Sequence, residues 1–279
     1  MNKFIMASAL LTPEAYRRQS LRADEQRIKD AIERRILTVA GTVNVHAGGR
    51  QDGTAFVFWP SLMMEGSMWS YQYEHFAPSY RVVLIDSPGI GKSEPLRRPI
   101  DLAESAEVLV QILDALQIER CIFAGNSYGA MLAVVFAAWH PERLIASIAI
   151  NATASPPTMA ETTVTSLLAN VLYLNRLMPK WRVRVAQHAF AGDTAEATNP
   201  DFVEYLNCVL NEDPKSISFQ MKGILLGRPD RHGILKTIKN VPVLVIAGTK
   251  IGNFPSTSFV ESQMPSLAAH SSCCRRQLI

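Results

Sequence analysis

The sequence predicts an α/β protein with a mostly parallel sheet flanked by helices. Short apolar runs alternate with segments of helical spacing, turns such as SPGIGKS separate them, and 48% of the 279 residues are hydrophobic. Because strands and helices alternate, the connections are expected to be right-handed crossovers, which make the strands parallel. With only 19% charged residues, the chain has enough apolar material for one large core.

The first 35 residues are expected to form an amino-terminal helical extension. From about Thr12 to Arg35 the chain carries Glu, Arg, Lys and Ala with scattered Leu and Ile, which is typical of a solvated amphipathic helix. The apolar start is short and acidic residues follow it, which argues against a secretory signal or a transit peptide.

Residues 36–151 are expected to form the first part of the α/β core. Apolar or β-branched runs bounded by turn residues predict its strands, and apolar residues three or four positions apart predict its helices. In order, the prediction is a hairpin of 36–39 and 42–46 around Gly41, strand 55–59, helix 66–76, strand 81–86, helix 101–116, strand 120–124, helix 129–139 and strand 144–150.

The alternation of strands and helices stops after residue 151. Residues 152–226 are rich in helix formers with Leu, Met and Trp and show no convincing strand, so they are expected to form a helical cap above the sheet. Residues 227–279 are expected to form the second part of the core, with a strand over 241–247 and a helix from Pro255 to about Ala269.

Composition argues against nucleic-acid and membrane partners. The 28 Lys and Arg residues nearly balance 25 Asp and Glu, the net charge is +3, and no long basic run occurs. The apolar stretch from Ala130 to Trp139 is far shorter than the roughly 20 residues of a membrane helix. Four cysteines without a CxxC pair indicate reduced thiols and a cytoplasmic protein.

The motif that carries chemistry is Gly125-Asn126-Ser127-Tyr128-Gly129. It lies where an apolar strand ends and an apolar helix begins, which is the context of a G-x-S-x-G nucleophile elbow. There the sharp turn places the serine in a strained backbone conformation and exposes its Oγ above the sheet. The glycines supply the small side chains that the close approach of the helix needs. Ser127 is therefore the candidate nucleophile.

With this elbow, the chain resembles the α/β-hydrolase superfamily from about residue 36 to residue 265. GNSYG with a helical cap is similar to the elbow of esterases, lactonases and carbon–carbon bond hydrolases. The further segments that match the family pattern are FVFWPSL at 56–62, DSPGIGKS at 86–93, HPERLIASIAIN at 140–151 and VPVLVIAGTK at 241–250.

The turn at residues 86–93 has two other interpretations. Its GKS triplet suggests a phosphate loop, but the required earlier glycine falls at Asp86, and Glu94 takes the last position of a GxGxxG pattern. Asp86 itself is a candidate catalytic acid. The resemblance implies instead that Asp86 shapes a loop.

The resemblance implies covalent catalysis, in which Ser127 attacks an acyl carbonyl and backbone N–H groups stabilise the oxyanion. The expected donors are Tyr128 and Leu62. Pro60 and Ser61 stand where the family has a His-Gly pair, which departs from the pattern but removes no backbone donor at Leu62.

The rest of the catalytic triad departs from the family pattern. In the order Ser, acid, His, the acid position falls on Ile251, and an alternative position after the preceding strand holds Asn151. Neither side chain can stabilise an imidazolium as a carboxylate does. Asn253 lies nearby but carries no charge.

The catalytic histidine is equally hard to place. The family His follows one more strand, and the chain ends at Ile279 about where that loop is expected, which suggests an altered or truncated carboxyl terminus. His270 is the candidate substitute, since a rearranged tail could bring it to the elbow. The other histidines have ordinary core or surface interpretations; they are His46, His75, His140, His188 and His232.

The sequence thus predicts a serine hydrolase that cleaves a small or medium carboxylic ester or a related carbonyl substrate. The alternative is a catalytically impaired or inactive α/β-hydrolase homologue that binds a small apolar ligand or a partner, because the acid and the base of the triad are missing. Acyl transfer by serine needs no metal or organic cofactor, and none is expected. The oligomeric state and the identity of the substrate are left open.

Overall fold

A computed structural model of the protein describes residues 24–174 and 213–247. Several predicted features lie outside these residues. They are the helix before residue 24, the middle of the cap, the helix at 255–269, and the candidate residues Ile251, Asn253, His188 and His270.

The described residues form one seven-stranded sheet in the order β1-β2-β4-β3-β5-β6-β7. Its strands are β1 Ile32–Thr38, β2 Gly41–Gly49, β3 Ala55–Trp59, β4 Arg81–Ile85, β5 Cys121–Asn126, β6 Leu144–Ile150 and β7 Val243–Ile246. Only the pairs β1·β2 and β2·β4 are antiparallel. The predicted mostly parallel sheet is therefore confirmed, and the predicted hairpin turns between Thr38 and Gly41.

The helices follow the expected alternation. The predicted helix at 66–76 is a 3-10 turn at Gly66–Trp69 that continues into α1. The α-helices are α1 Ser70–Phe76, α2 Leu102–Ala115, α3 Tyr128–Trp139, α4 Met159–Leu174, α5 Pro214–Gln220 and α6 His232–Leu235, with a 3-10 turn at Pro141–Arg143 and a π-helix at Met221–Leu226. Within the described residues, no helix is long and apolar enough to cross a membrane.

Helix α2 shows how local sequence sets an element boundary. Asp101 accepts hydrogen bonds from the backbone N–H groups of Ala103 and Glu104, and the Glu104 side chain accepts one from the Asp101 N–H. This reciprocal capping box satisfies donors that the first helical turn leaves without carbonyl partners. The helix accordingly begins one residue after Asp101.

The first strand is where the expected boundary is wrong. β1 begins at Ile32, four residues before the predicted start, so residues 32–35 are not part of a helical extension. Three consecutive charged residues, Glu33, Arg34 and Arg35, suggested a solvated helix, but they stand exposed on an edge strand, where charge discourages pairing with other chains.

The core has two layers because alternate residues of each strand face opposite sides of the sheet. Val57 and Phe123 belong to the large cluster that packs with α2 and α3, whereas Phe56 and Phe58 pack with α1. The register of β3, β5 and β6 pairs Trp59 with Gly125 and aligns the strand ends. The carboxyl ends of these strands therefore meet at one edge of the sheet.

The described parts of the predicted cap, residues 152–174 and 213–226, contain helices and no strand. Helix α4 packs against α5 and against the π-helix that follows it. The returning chain thus brings α5 back to the same edge of the sheet.

Candidate active site

Ser127 lies between β5 and α3 with φ 51° and ψ −104°. A positive φ is uncommon for a residue with a side chain, and strained backbone of this kind concentrates at functional sites. The Ser127 N–H donates to the Ile150 carbonyl over 2.9 Å, and the Ser127 carbonyl accepts from Met131 N–H over 2.9 Å. The strained residue is therefore tied to both the neighbouring strand and the helix.

The two glycines of the motif make this turn possible. A Cβ atom at Gly125 would lie 2.0 Å from the Gly129 carbonyl oxygen, and one at Gly129 would lie 2.4 Å from the Trp59 carbonyl oxygen. Real Cβ atoms do not approach that closely, so both positions exclude any side chain. The same contacts place the start of α3 directly against the end of β3, where the loop with Leu62 begins.

The Ser127 side chain is available for chemistry. The residue is partly exposed, and its hydroxyl has no hydrogen-bond partner among the described residues. An elbow serine in this state can approach a bound carbonyl, but it needs a base to accept its proton.

The two expected oxyanion donors are the backbone N–H groups of Tyr128 and Leu62. Tyr128 is the first residue of α3, so its N–H has no carbonyl partner in the helix. In the part of the chain that the structure describes, the Leu62 N–H also makes no hydrogen bond. Both backbone donors are thus free to bind an oxyanion.

The Tyr128 side chain has a packing role instead. It is fully buried, its hydroxyl lies 2.7 Å from Ser105 Oγ, and its ring meets Trp59 edge to face with centroids 5.7 Å apart. Burial raises the pKa of the phenol well above its usual range. Only the backbone of Tyr128 is therefore suited to charge stabilisation.

A chain of polar side chains connects the ends of three strands. Asn126 Nδ2 donates to Ser61 Oγ over 2.7 Å, and Asn151 Nδ2 donates to Asn126 Oδ1 over 3.2 Å. Sequence reasoning gave Asn126 no role. The signal was present, because Asn126 ends β5, Asn151 directly follows β6 and Ser61 is the second residue after β3.

The structure describes two of the positions considered for the catalytic acid, Asn151 and Asp86, and neither supplies a free carboxylate. Asn151, at one of the two expected acid positions, directly follows β6 with φ 57° and carries an uncharged amide. Asp86 is 2% exposed and accepts hydrogen bonds from Gly66 N, Asn44 Nδ2 and Lys92 N at 2.8, 2.9 and 3.1 Å. These bonds give Asp86 the loop-shaping role that the resemblance implies.

None of the four described histidines is hydrogen-bonded to Ser127. His46 lies 3.3 Å from Asn44 Nδ2, the His75 ring meets Phe76 edge to face, His140 lies 3.6 Å from Glu142, and His232 lies 2.7 Å from Asp230. The described residues also contain no cluster of three or more side chains that could hold a metal ion.

Fold and elbow together define a class of protein, and the comparison with known families agrees. Residues 54–201 match the family of the alpha/beta hydrolase fold. The chain belongs to this family. The resemblance to the α/β-hydrolase superfamily that the sequence predicted is thus confirmed.

The curated relatives that the chain matches include two enol-lactonases. The chain is 32% identical over 113 residues to 3-oxoadipate enol-lactonase 1 of Acinetobacter baylyi, a match that covers 40% of this chain and 42% of the relative. It is 27% identical over 208 residues to enol-lactonase 2 of the same organism, covering 75% of each. The chain thus spans less than half of the length of several curated relatives that it matches.

Solved structures show the same fold. An enol-lactonase from Burkholderia xenovorans superposes with a TM-score of 0.65 at 23% identity, over 77% of this chain and 81% of the other. A thermophilic esterase from Thermogutta terrifontis gives 0.66 at 21% identity, over 78% and 80%.

Proposed function

We propose that the protein hydrolyses a small or medium carboxylic ester or a related carbonyl substrate through an acyl-enzyme on Ser127. The observation that carries this proposal is the strained elbow, which combines a free Ser127 hydroxyl with two free backbone donors at Tyr128 and Leu62. The lactonases and esterases among its relatives support the same reaction class.

In the proposed reaction, Ser127 Oγ forms a bond to the carbonyl carbon while its proton passes to a base. The carbonyl oxygen becomes an oxyanion that accepts hydrogen bonds from the Leu62 and Tyr128 N–H groups. When the tetrahedral intermediate collapses, the carbon–oxygen bond to the leaving alcohol breaks and the alcohol takes the proton. Water then repeats these steps on the acyl-enzyme and releases the acid.

The proposed base is His270, which lies outside the described residues. Of the predicted site residues, Ser127, Tyr128 and Leu62 lie near the carboxyl edge of the sheet. In this proposal His270 supplies the base that accepts the Ser127 proton. A cytoplasmic setting is part of the proposal, and the buried free thiol of Cys121 is consistent with it.

The test is covalent labelling with a fluorophosphonate, in which a Ser127 Oγ–P bond forms and fluoride leaves. We expect one label per chain on Ser127, none in Ser127→Ala, and turnover of short p-nitrophenyl esters in the same preparation. His270→Gln is expected to slow labelling about 100-fold or more, in the range that general-base catalysis contributes. Equal labelling of the wild type and Ser127→Ala would remove the serine mechanism.

The alternative function is binding without turnover, and Asn151 is the observation that favours it. An uncharged amide at one acid position and an isoleucine at the other leave a histidine without its orienting carboxylate. In that case Asn151→Asp is expected to raise ester turnover above the wild type, whereas the hydrolase proposal expects the wild type to turn over without it.

A further inference from the structure

Gln220 ends helix α5 and has no solvent-exposed surface. Its side-chain oxygen accepts a hydrogen bond from Met63 N–H over 3.2 Å, and its Nε2 donates to the Pro88 carbonyl over 2.9 Å. Met63 and Pro88 precede it by 157 and 132 residues. One side chain from the end of the cap therefore joins two loops at the carboxyl edge of the sheet.

An amide is well suited to these two partners. Met63 N–H needs an acceptor and the Pro88 carbonyl needs a donor, and a neutral amide supplies both at once. A carboxylate in this dry position would accept from Met63 but repel the Pro88 oxygen. An apolar side chain of the same size would leave both backbone groups without these partners.

The helix that carries Gln220 is itself tightly seated. The Ser216 hydroxyl oxygen, also on α5, accepts from Leu96 N–H over 2.8 Å. Gly223, in the π-helix that follows Gln220, is packed so closely that a Cβ atom there would lie 1.9 Å from the Ile100 carbonyl oxygen. Short π-helical turns occur frequently at functional sites. These contacts fix the position from which the Gln220 side chain reaches the loops.

The Met63 end of this bridge lies next to a predicted oxyanion donor. Met63 has φ 63°, a conformation that costs a residue with a side chain about 1 kcal/mol or more. Its N–H belongs to the peptide group that follows Leu62, so the bond to Gln220 restrains one side of Leu62. Ser61, on the other side of Leu62, is bonded to Asn126. The donor residue is thus restrained from both directions.

We propose that Gln220 is a positioning residue of the oxyanion hole, which holds the Leu62 loop in its catalytic geometry from the cap side. This inference rests on the proposed hydrolase function. Gln220 lies on α5, at the end of the predicted cap. The position of the cap on the sheet therefore determines whether the Leu62 N–H can stabilise the transition state.

The test compares Gln220→Met, which keeps the volume and removes both hydrogen bonds, with Ser218→Ala. Ser218 is buried on the same helix and its hydroxyl has no partner among the described residues, so its loss controls for a change in a buried side chain. In p-nitrophenyl acetate hydrolysis we expect Gln220→Met to lower kcat about 10- to 100-fold with little change in KM, since a misplaced oxyanion donor acts in the transition state. Ser218→Ala is expected to match the wild type.

Gln220→Glu gives a second signature that packing alone does not produce. Below its pKa, which burial at this position raises, the carboxyl is neutral, and its protonated oxygen can donate to Pro88 while the other oxygen accepts from Met63. The rate of this variant relative to the wild type is therefore expected to rise as the pH falls. A pH-independent ratio, or a kcat of Gln220→Met equal to that of Ser218→Ala, would overturn the inference.

Hydrogen exchange separates a failure of this inference from a failure of the proposed function. The amides of residues 61–64 are expected to exchange faster in Gln220→Met than in Ser218→Ala and the wild type. If the wild type neither reacts with the fluorophosphonate nor hydrolyses the ester, the proposed function is lost, and the catalytic role of Gln220 with it. Unchanged exchange in Gln220→Met overturns the bridge even in an active enzyme.

Discussion

Asn126 donates a hydrogen bond to the hydroxyl oxygen of Ser61 across 2.7 Å, which links the residue before the nucleophile to the loop that carries Leu62. Ser61 occupies a position where the family pattern has glycine, and glycine offers no side chain for such a bond. The replacement of this glycine by Ser61 therefore adds a hydrogen bond between the Leu62 loop and the nucleophile elbow.

We predict that Ser61→Ala and Asn126→Ala are not additive. Both single changes remove the Asn126–Ser61 hydrogen bond. Ser61→Ala is expected to lower the free energy of unfolding by about 1 kcal/mol, and Asn126→Ala by more, because it also removes the bond that Asn126 accepts from Asn151. The double variant should then lose clearly less than the sum of the singles, because the bond is already gone. Urea denaturation of the four proteins measures this. Ser79→Ala, an exposed serine at the other edge of the sheet, should combine additively with Asn126→Ala.

Gly125→Ala is expected to destabilise the protein by about 3 kcal/mol or more, because the new methyl group overlaps backbone atoms of α3 that cannot move aside. Gly233→Ala is the matched control. No atom lies within 4 Å of a Cβ at this helical position, so alanine should raise stability by about 0.5 kcal/mol. Thermal unfolding of both variants distinguishes these outcomes, and a similar Tm for the two would contradict the crowding at the elbow.

Asp86→Asn is expected to cost about 3 kcal/mol of unfolding free energy, since an amide nitrogen would face one of the N–H donors that the buried carboxylate accepts. Asp52→Asn is the comparison. Asp52 pairs with Arg50 in the open solvent, so its change should leave denaturation unaltered. If Asp86→Asn unfolds like the wild type, the turn does not depend on this carboxylate.

Burial raises the pKa of the Cys121 thiol to about 12, from an ordinary value of 9.0. Between these values the unfolded chain releases the thiol proton while the folded chain keeps it, so stability falls as the pH rises. From about pH 8 to about pH 10, the wild type should lose about 1.4 kcal/mol more than Cys121→Ala. Parallel pH dependences of the two proteins in urea denaturation would show that the thiol does not contribute.

Much of the fold could be predicted because its signals are local. Apolar runs identified the strands on both sides of the elbow, and the spacing of GNSYG placed Ser127 at the turn. β1 was missed at its start because an edge strand tolerates charged residues that a short window assigns to a helix.

The side-chain bridges of the site could not be predicted in the same way. Ser61 and Asn126 are 65 residues apart, and Met63 and Gln220 are 157 apart. Such pairs depend on how distant elements pack, and no periodicity or motif encodes them. The roles of Leu62, Tyr128 and His270 in catalysis stay predictions.

The bond from Ser127 N–H to the Ile150 carbonyl has a consequence for folding. Ile150 belongs to a different strand, so neither the elbow segment nor a hairpin of it can adopt the strained geometry alone. The geometry of the nucleophile is acquired only when β5 and β6 have paired and α3 has docked. A reagent that reacts with this serine would therefore report on the assembly of this part of the sheet, because its reactivity should appear only after β5 and β6 have paired.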